Sequence, residues 1–416
     1  MSTFVVAALV LVATVLEIEV ANVAVLASSG EIVVSALGAR PNTLFTSTQR
    51  ELLDLHWHTS STRTRALVKY QLERREQNAA RDWASKSKVS LVVWSQATPV
   101  WFGDVHKGHT NPSCRISCEV SFDRDQATSA DALVMMLDRP ESPLPSNHPP
   151  WIGITWENLM GHQRYKSFGS KLRPSTSVEA QLDASLIRGL RPDLLVSHEL
   201  DADIPFPYPQ IRTFVERFKT QDRVDVSARV RNQRRGIYVL ISNGDAHILP
   251  DRLKLLKAVQ RAGFPVASYG KAMLDPYLRQ EFLKLDNAEN REGAGLELQG
   301  SYLFSNAIEN SFGVDYVTEK LYLALTAGAV PLYLGAPNIV DFLPDRDAVI
   351  HVNDFETPDD LARYLDQLSG DLDLLIDRHH AWRFREKLPQ LLTDISLLAP
   401  SSLTCALCEA AADLRS

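Results

Sequence analysis

No excess of positive charge is present in this 416-residue chain: 44 Lys and Arg stand against 51 Asp and Glu, a formal net charge of −7. A general affinity for nucleic acid or anionic lipid is thereby argued against, and any phosphate must be held by a few placed residues. No internal repeat or low-complexity tract is found, and no Asn-x-Ser/Thr sequon has a permitted middle residue, so N-glycosylation gives no clue to compartment. No Lys or Arg precedes Arg40, which removes the usual positive-inside cue for membrane orientation. Cysteine is scarce, with two close pairs, Cys114/Cys118 and Cys405/Cys408. Taken alone, these pairs admit a zinc site in a reducing compartment or two disulfides in an oxidising one.

What is present suits a soluble globular protein of two domains: 45% hydrophobic and 23% charged residues over a length too great for one core. Phe4 to Leu26 is almost continuously apolar, broken by Glu17, Glu19 and Asn22. Its first part, Phe4 to Leu16, has the length of a signal-peptide apolar region, and the whole run is long enough to span a bilayer. Residues 1–30 therefore read as a signal-anchor or signal peptide. The polar stretch 31–88, with a helical patch around Arg65 to Trp83, reads as a stem.

Short apolar runs follow at Ser90–Trp94, Ala132–Leu137, Trp151–Trp156 and Asp193–Ser197, each of strand length and followed by turn or helical pattern. That is the pattern of a parallel α/β sheet. The charged segment Glu216–Arg235 lacks an apolar period and marks a domain boundary, placed at 89–225 against 226–376. A second series begins with a strand at Ile237–Ile241, the turn Ser242-Asn243-Gly244-Asp245, a helix from about Asp251 to Ala262 ending at Gly263, and a strand near Pro265–Ser268. The expected architecture is α/β, with two Rossmann-like domains facing a cleft.

The richest stretch is Tyr302 to Leu334. Tyr302–Ile308 reads as a strand, a helix is expected from Tyr316 to Ala327 with Asp315 as N-cap and Gly328 as stop, and Ala329–Leu334 is a buried strand. In such a βαβ unit the strand C-termini and the helix N-terminus share one sheet edge, where open α/β folds bind ligands. Glu309, Asn310, Tyr316, Glu319, Lys320 and Asn338 gather there. A helix N-terminus favours phosphate, Lys320 adds a full charge, and Glu319 can accept hydrogen bonds from ribose hydroxyls. An isolated Glu-Lys would be an ordinary solvated pair and a lone Tyr316 ordinary packing; the convergence of the set favours a nucleotide site.

These residues resemble a known family. The run FSNAIENSFGVDYVTEKL from Phe304, followed by AVPLYLGAPN from Ala329, is similar to the donor-binding signature of the α-1,3/4-fucosyltransferases, glycosyltransferase family 10. Weaker similarity extends from Ser90 to about Ile376 and includes ISNGDAH from Ile241, SYGK from Ser268 and DLLVSHELDADIP from Asp193; Trp156-Glu157-Asn158 is a loose version of the family's Glu-Ser segment. The resemblance implies a GT-B fold and an inverting transfer of L-fucose from GDP-fucose to a glycan hydroxyl, in α-1,3 linkage to GlcNAc, during protein glycosylation. It implies Lys320 and Arg252 on the diphosphate, Glu157 as base, and a donor pocket of Glu319, Tyr316, Asn310, Glu309, Asn243 and Asn338. Without the family, Arg252 reads equally well as a surface residue beside Lys254 and Lys257, and Glu157 as a loop cap.

With Lys and Arg facing the diphosphate, no metal or other cofactor is expected. Asp201-Ala-Asp203 is a short and common pattern, and His106, His109 and His247 have no ligand partners at metal spacing. By the family's pattern Cys114 and Cys118 pair with Cys405 and Cys408 in that order, tying the tail 377–416 to the first domain; the first crosslink is worth roughly 4–5 kcal/mol in the entropic model. The resemblance further implies a single-pass type II Golgi membrane protein with a lumenal catalytic part. Another nucleotide-sugar transferase of the same fold, or a non-catalytic carbohydrate-binding relative, is the alternative. The acceptor is not legible in the loops Ser95–His109 and Met160–Arg173.

Overall fold

Helix and strand identities follow from how each segment buries its apolar side chains. In the computed structural model the described residues are 61–83, 88–94, 114–137, 144, 146–155, 192–220, 226–241, 252–273, 275–285, 291–310, 313–400 and 402–414. The apolar run Phe4–Leu26 lies outside them, as do Glu157 and Asn243.

The first described element is helix α1 (Ser61–Ala79). A parallel sheet follows, built from β1 (Val89–Val93), β2 (Cys118–Ser121), β3 (Ala132–Met136), β4 (Trp151–Ile154), β5 (Leu194–Ser197) and β6 (Ile204–Pro205), in the order β2-β1-β3-β4-β5-β6. Its central strands are apolar on both faces: every residue of β3 and of β4 is buried, as expected of a parallel sheet covered on two sides.

Helices α2 (Gln210–Thr220) and α3 (Val226–Arg231) lead to a second parallel sheet. It comprises β7 (Arg234–Val239), α4 (Arg252–Arg261), β8 (Val266–Ser268), α5 (Pro276–Leu285), α6 (Arg291–Gly300), β9 (Tyr302–Ile308), α7 (Glu319–Ala327), β10 (Val330–Leu334) and β11 (Ile350–His351). The strand order is β11-β10-β9-β7-β8. Helices α8 (Pro358–Gly370), α9 (Leu372–Leu375), α10 (Gln390–Leu398) and α11 (Leu403–Leu414) complete the chain. A capping box opens α8: the Thr357 hydroxyl accepts from the Asp360 N–H while the Asp360 carboxylate accepts from the Thr357 N–H.

Two parallel α/β sheets in succession are thus observed, with strand positions close to those expected from the apolar runs. Three expectations are corrected. Part of the stretch read as a stem is α1, which is packed into the fold: Val68 is buried in the core shared by α2, α7 and α10, and Gln71 Nε2 donates to the Leu200 and Ala202 carbonyls. Its polar composition misled because the helix docks mainly through hydrogen bonds rather than an apolar stripe. Second, the segment Glu216–Arg235, read as lacking an apolar period, is largely helical among the described residues, in α2 and α3. Its start belongs to α2, whose Phe214 and Val215 pack with Tyr322 and Leu325 of α7, so the chain has reached the second sheet's helices before Glu216. Third, α7 begins at Glu319 rather than Tyr316.

The tail returns to the first sheet. Leu403, Leu407, Cys408, Ala411 and Ala412 of α11 are buried with Val89, Leu91 and Val120. Cys114 is bonded to Cys405 and Cys118 to Cys408, with Cα atoms 5.0 and 6.0 Å apart.

Candidate active site

The second sheet reverses its direction of growth between β7 and β9: β8 lies to one side, β10 and β11 to the other. In open α/β sheets this switch point leaves a crevice at the strand C-termini that binds ligands. Two segments border it, the chain from β7 to α4 and the chain from β9 to α7. They bring Arg252, first residue of α4, near Lys320, close enough for its charge to oppose that of the lysine.

Glu309 follows β9 and is fully buried. Its carboxylate accepts from the Thr318 N–H at 2.7 Å, the Thr318 hydroxyl at 2.6 Å and the Lys320 ammonium at 3.3 Å. Thr318 is the N-cap of α7, its backbone extended and its hydroxyl accepting from the Lys320 N–H. Lys320 Nζ also donates to Thr318 Oγ1 at 2.8 Å and to Glu319 Oε1 at 3.1 Å. The ammonium is therefore held by three oxygens in fixed directions, and its side chain is 23% exposed against 37% for Glu319.

The charges shift one another. Burial alone depresses Lys320, but Glu319 and Glu309 outweigh it and hold the ammonium above its ordinary value. Burial pushes Glu309 up, with Lys320 and the Thr318 hydrogen bonds pulling back. Burial also acts upward on Glu319, yet Lys320 and the local hydrogen bonds leave it below the usual range. At neutral pH Lys320 carries its charge and Glu319 is ionised.

The floor of this cluster is closed by Gly335. A Cβ there would sit 2.5 Å from Glu309 Cγ and 2.7 Å from the Tyr333 hydroxyl, so only glycine lets the β10 turn lie over the buried carboxylate.

Between β9 and α7 the chain makes a turn in which Asp315 has φ 63°, in the left-handed region that Asp tolerates better than most residues. Asp315 is buried and heavily engaged. Its N–H donates to Asn338 Oδ1 at 2.9 Å, its carboxylate accepts from Asn338 Nδ2 at 2.7 Å and from the Leu200 N–H at 3.1 Å, and Arg63 pairs with it at 3.3 Å. Next to it, Tyr316 is buried edge-on against His198, ring centroids 4.9 Å apart, and its hydroxyl donates to Asn310 Oδ1 at 2.7 Å. The β9–α7 turn of the second sheet is thereby fastened to the segment that follows β5 in the first.

The expected donor-pocket residues consequently divide. Glu319 and Lys320 reach the crevice surface, Arg252 is buried at the start of α4 within electrostatic reach of Lys320, and Asn310 is partly exposed after β9. Glu309, Tyr316 and Asn338 are each buried, and their polar atoms bond protein partners that hold the turn and the lysine. Asp315, expected as the cap of α7, instead joins the two sheets. Thr318 was missed as the cap, although Thr directly before a Glu-initiated helix is a recognised signal. The Asp201-x-Asp203 pattern is also structural: Asp201 pairs with Arg63 at 3.0 Å, and Asp203 accepts from the Leu195 N–H at 2.8 Å.

Residues 230–416 match the model of the glycosyltransferase family 10 (fucosyltransferase) C-terminal domain. The chain is 32% identical over 240 residues to an alpha-(1,4)-fucosyltransferase of Arabidopsis thaliana, a stretch that is 56% of either chain. It is 33% identical over 133 residues to alpha-(1,3)-fucosyltransferase B of Drosophila melanogaster, 32% of this chain and 29% of that one. It is also 35% identical over 121 residues to the human GDP-fucose protein O-fucosyltransferase 3, 29% of this chain and 24% of that one. The chain thus spans about half the length of the first of these relatives and less of the others. A solved alpha1,3-fucosyltransferase with GDP-fucose superposes at a TM-score of 0.44 and 14% identity, over 77% of this chain and 94% of that one. From the end of α3 to the tail, then, this chain is similar to the C-terminal domain of glycosyltransferase family 10, the fucosyltransferases.

Proposed function

We propose that the chain is an inverting fucosyltransferase of GT-B architecture that moves L-fucose from GDP-fucose to a hydroxyl of an acceptor. The observation that carries this reading is the placement of Lys320 and Arg252 together at the switch point, over a buried Glu309 that fixes the lysine. As the acceptor oxygen bonds to the anomeric carbon, the bond to the diphosphate breaks and GDP departs with the electron pair. Two preorganised cations stabilise that developing charge. Arg252 suits bidentate contact with phosphate oxygens.

Of the three bonds to Lys320, the one to Glu319 is the more exposed and the one a nucleotide exchanges. Glu319 then accepts from the ribose hydroxyls and releases the ammonium toward phosphate, while Glu309 and Thr318 keep it in register. The base comes from the C-terminal edge of the first sheet, where Glu157, after β4, is the nominee. The two cations supply the charge a metal would bring, so transfer persists in chelator.

The acceptor is a glycan or glycoprotein, with α-1,3 linkage to GlcNAc as the first reading. The 35–39% identity to protein O-fucosyltransferase 3 chains over 104–138 residues supports a second, a protein hydroxyl. The site of action is the lumen of the Golgi, on a single-pass type II anchor formed by Phe4–Leu26. The test is transfer from GDP-fucose, against UDP- and CMP-sugars, to a panel of glycans and peptides, with linkage assigned by NMR. Lys320→Ala and Arg252→Ala should each lower kcat at least 100-fold, on the scale of losing one charge-stabilising group. Full activity of Lys320→Ala would reject the donor chemistry.

A further inference from the structure

The segment after β5, His198-Glu199-Leu200, is pressed against the turn of the second sheet that precedes α7. His198 packs edge-on against Tyr316, and the Leu200 N–H donates to the Asp315 carboxylate at 3.1 Å. Tyr316 in turn is bonded to Asn310 at the end of β9, so this segment lies where the first sheet meets the donor crevice.

The other carboxylates at that seam are engaged. Asp315 is bonded by Asn338, Leu200 and Arg63; Asp201 pairs with Arg63; Asp203 accepts from Leu195; Asp341 accepts from the Thr64 hydroxyl at 2.6 Å. Glu199 differs, since its carboxylate makes no hydrogen bond or ion pair among the described residues although the side chain is partly buried. Beside it, neither ring nitrogen of the buried His198 makes a hydrogen bond among the described residues. A partly desolvated polar group without a partner is costly and uncommon. At the C-terminal edge of a parallel sheet it is placed to meet a ligand.

On the fucosyl-transfer reading, we propose that Glu199 is an acceptor-binding carboxylate, taking a hydrogen bond from a hydroxyl or amide N–H of the acceptor adjacent to the reacting oxygen. It is a specificity-determining residue, distinct from the base, and forms or breaks no covalent bond. The groups that set its charge are Asp201 on its own loop, Asp315 on the β9–α7 turn and Arg63 on α1; His198 stays neutral, burial driving it down to about 3. Burial, then Asp201 and Asp315, push Glu199 up to about 7 against the smaller opposing effect of Arg63. The carboxylate is the better acceptor of a hydroxyl proton when ionised. Acceptor KM should therefore fall as pH rises through about 7.

Steady-state kinetics of Glu199→Gln and Glu199→Asp test this, using GDP-fucose and whichever GlcNAc-bearing glycan or Ser/Thr peptide the wild-type chain turns over. Glu199→Gln should raise acceptor KM at least tenfold, keep kcat within about threefold, leave the GDP-fucose KM unchanged and flatten the pH dependence of acceptor KM. Glu199→Asp should restore part of it. An unchanged acceptor KM, or a collapse of kcat at constant KM, would overturn the assignment; the unchanged GDP-fucose KM shows that the variant is folded. A wild-type chain that transfers fucose to no acceptor would instead overturn the functional reading itself.

Discussion

Replacing Glu309 by Gln tests the support beneath the proposed phosphate site. The carboxylate is fully buried and receives three hydrogen bonds, two from Thr318 and one from Lys320. An amide keeps the shape and one acceptor, and the Thr318 hydroxyl can rotate to accept from it. What is lost is the charge facing Lys320, whose ammonium then has only Thr318 and the more exposed Glu319. Breaking a buried ion pair by removing one partner costs about 3–5 kcal/mol. The retained hydrogen bonds place Glu309→Gln at the lower end, about 3 kcal/mol. At about 2–4 °C per kcal/mol for a domain of this size, the unfolding transition should fall by about 6–12 °C.

Urea titration and calorimetry measure that loss, and transfer kinetics should show a raised GDP-fucose KM because Lys320 is no longer held. Lys320→Met supplies the second arm. If the two groups act as a pair, the double variant should lose at least about 1.5 kcal/mol less than the sum of the single losses. A Glu309→Gln protein within about 1 kcal/mol of wild type, or strictly additive losses, would refute the reasoning.

Gly335→Ala should destabilise by about 1–3 kcal/mol through overpacking, because its Cβ would lie 2.5 Å from Glu309 Cγ; equilibrium unfolding checks this, and activity should fall in parallel. The two disulfides close nearly the same chain loop, with sequence separations of 291 and 290. In the chain-entropy model, removing Cys118 and Cys408 together should cost only about 2–3 kcal/mol, since the remaining bond still closes the long loop, while full reduction should cost roughly three times as much; thermal melts with and without reductant compare them. Glu199 titrates at about 7 in the folded chain against an ordinary 4.5, raised first by burial and then by Asp201 and Asp315. Between those values the folded state binds more protons than the unfolded one. Its contribution to stability is therefore fully present below pH 4.5 and lost as pH rises through about 7. Urea unfolding across that range should show a flatter profile for Glu199→Gln.

Much of the second sheet was legible because its strands are continuous apolar runs, a pattern that survives without tertiary information. Tyr302–Ile308 is β9 as expected, and Gly328 ends α7 in the left-handed conformation expected of a helix stop. The start of α7 was misplaced by three residues because Asp315 and Thr318 are both good cap residues, and only packing decides between them. Asp315 is drawn away by Asn338 and Leu200, leaving Thr318 to cap. The short strands β2, β6 and β11 were missed, since runs of two to four residues carry little periodicity. Helix α1 was seen only as a helical patch, because nothing in a polar segment says what its hydrogen bonds will reach.

By itself the sequence determined the α/β class, the βαβ unit after Tyr302 and the residue types of the proposed phosphate site, since these depend on apolar period and local turn chemistry. Tertiary structure decided which polar residues face outward. Glu309, Tyr316 and Asn338 lie in the same motif as Glu319 and Lys320, and nothing in their spacing separates them. They are distinguished by burial, which depends on how Gly335 and Asp315 pack within the folded motif and on His198 arriving from the first sheet. That the Glu199 carboxylate has no partner among the described residues is likewise invisible in sequence, because having no partner is a property of everything packed around a group.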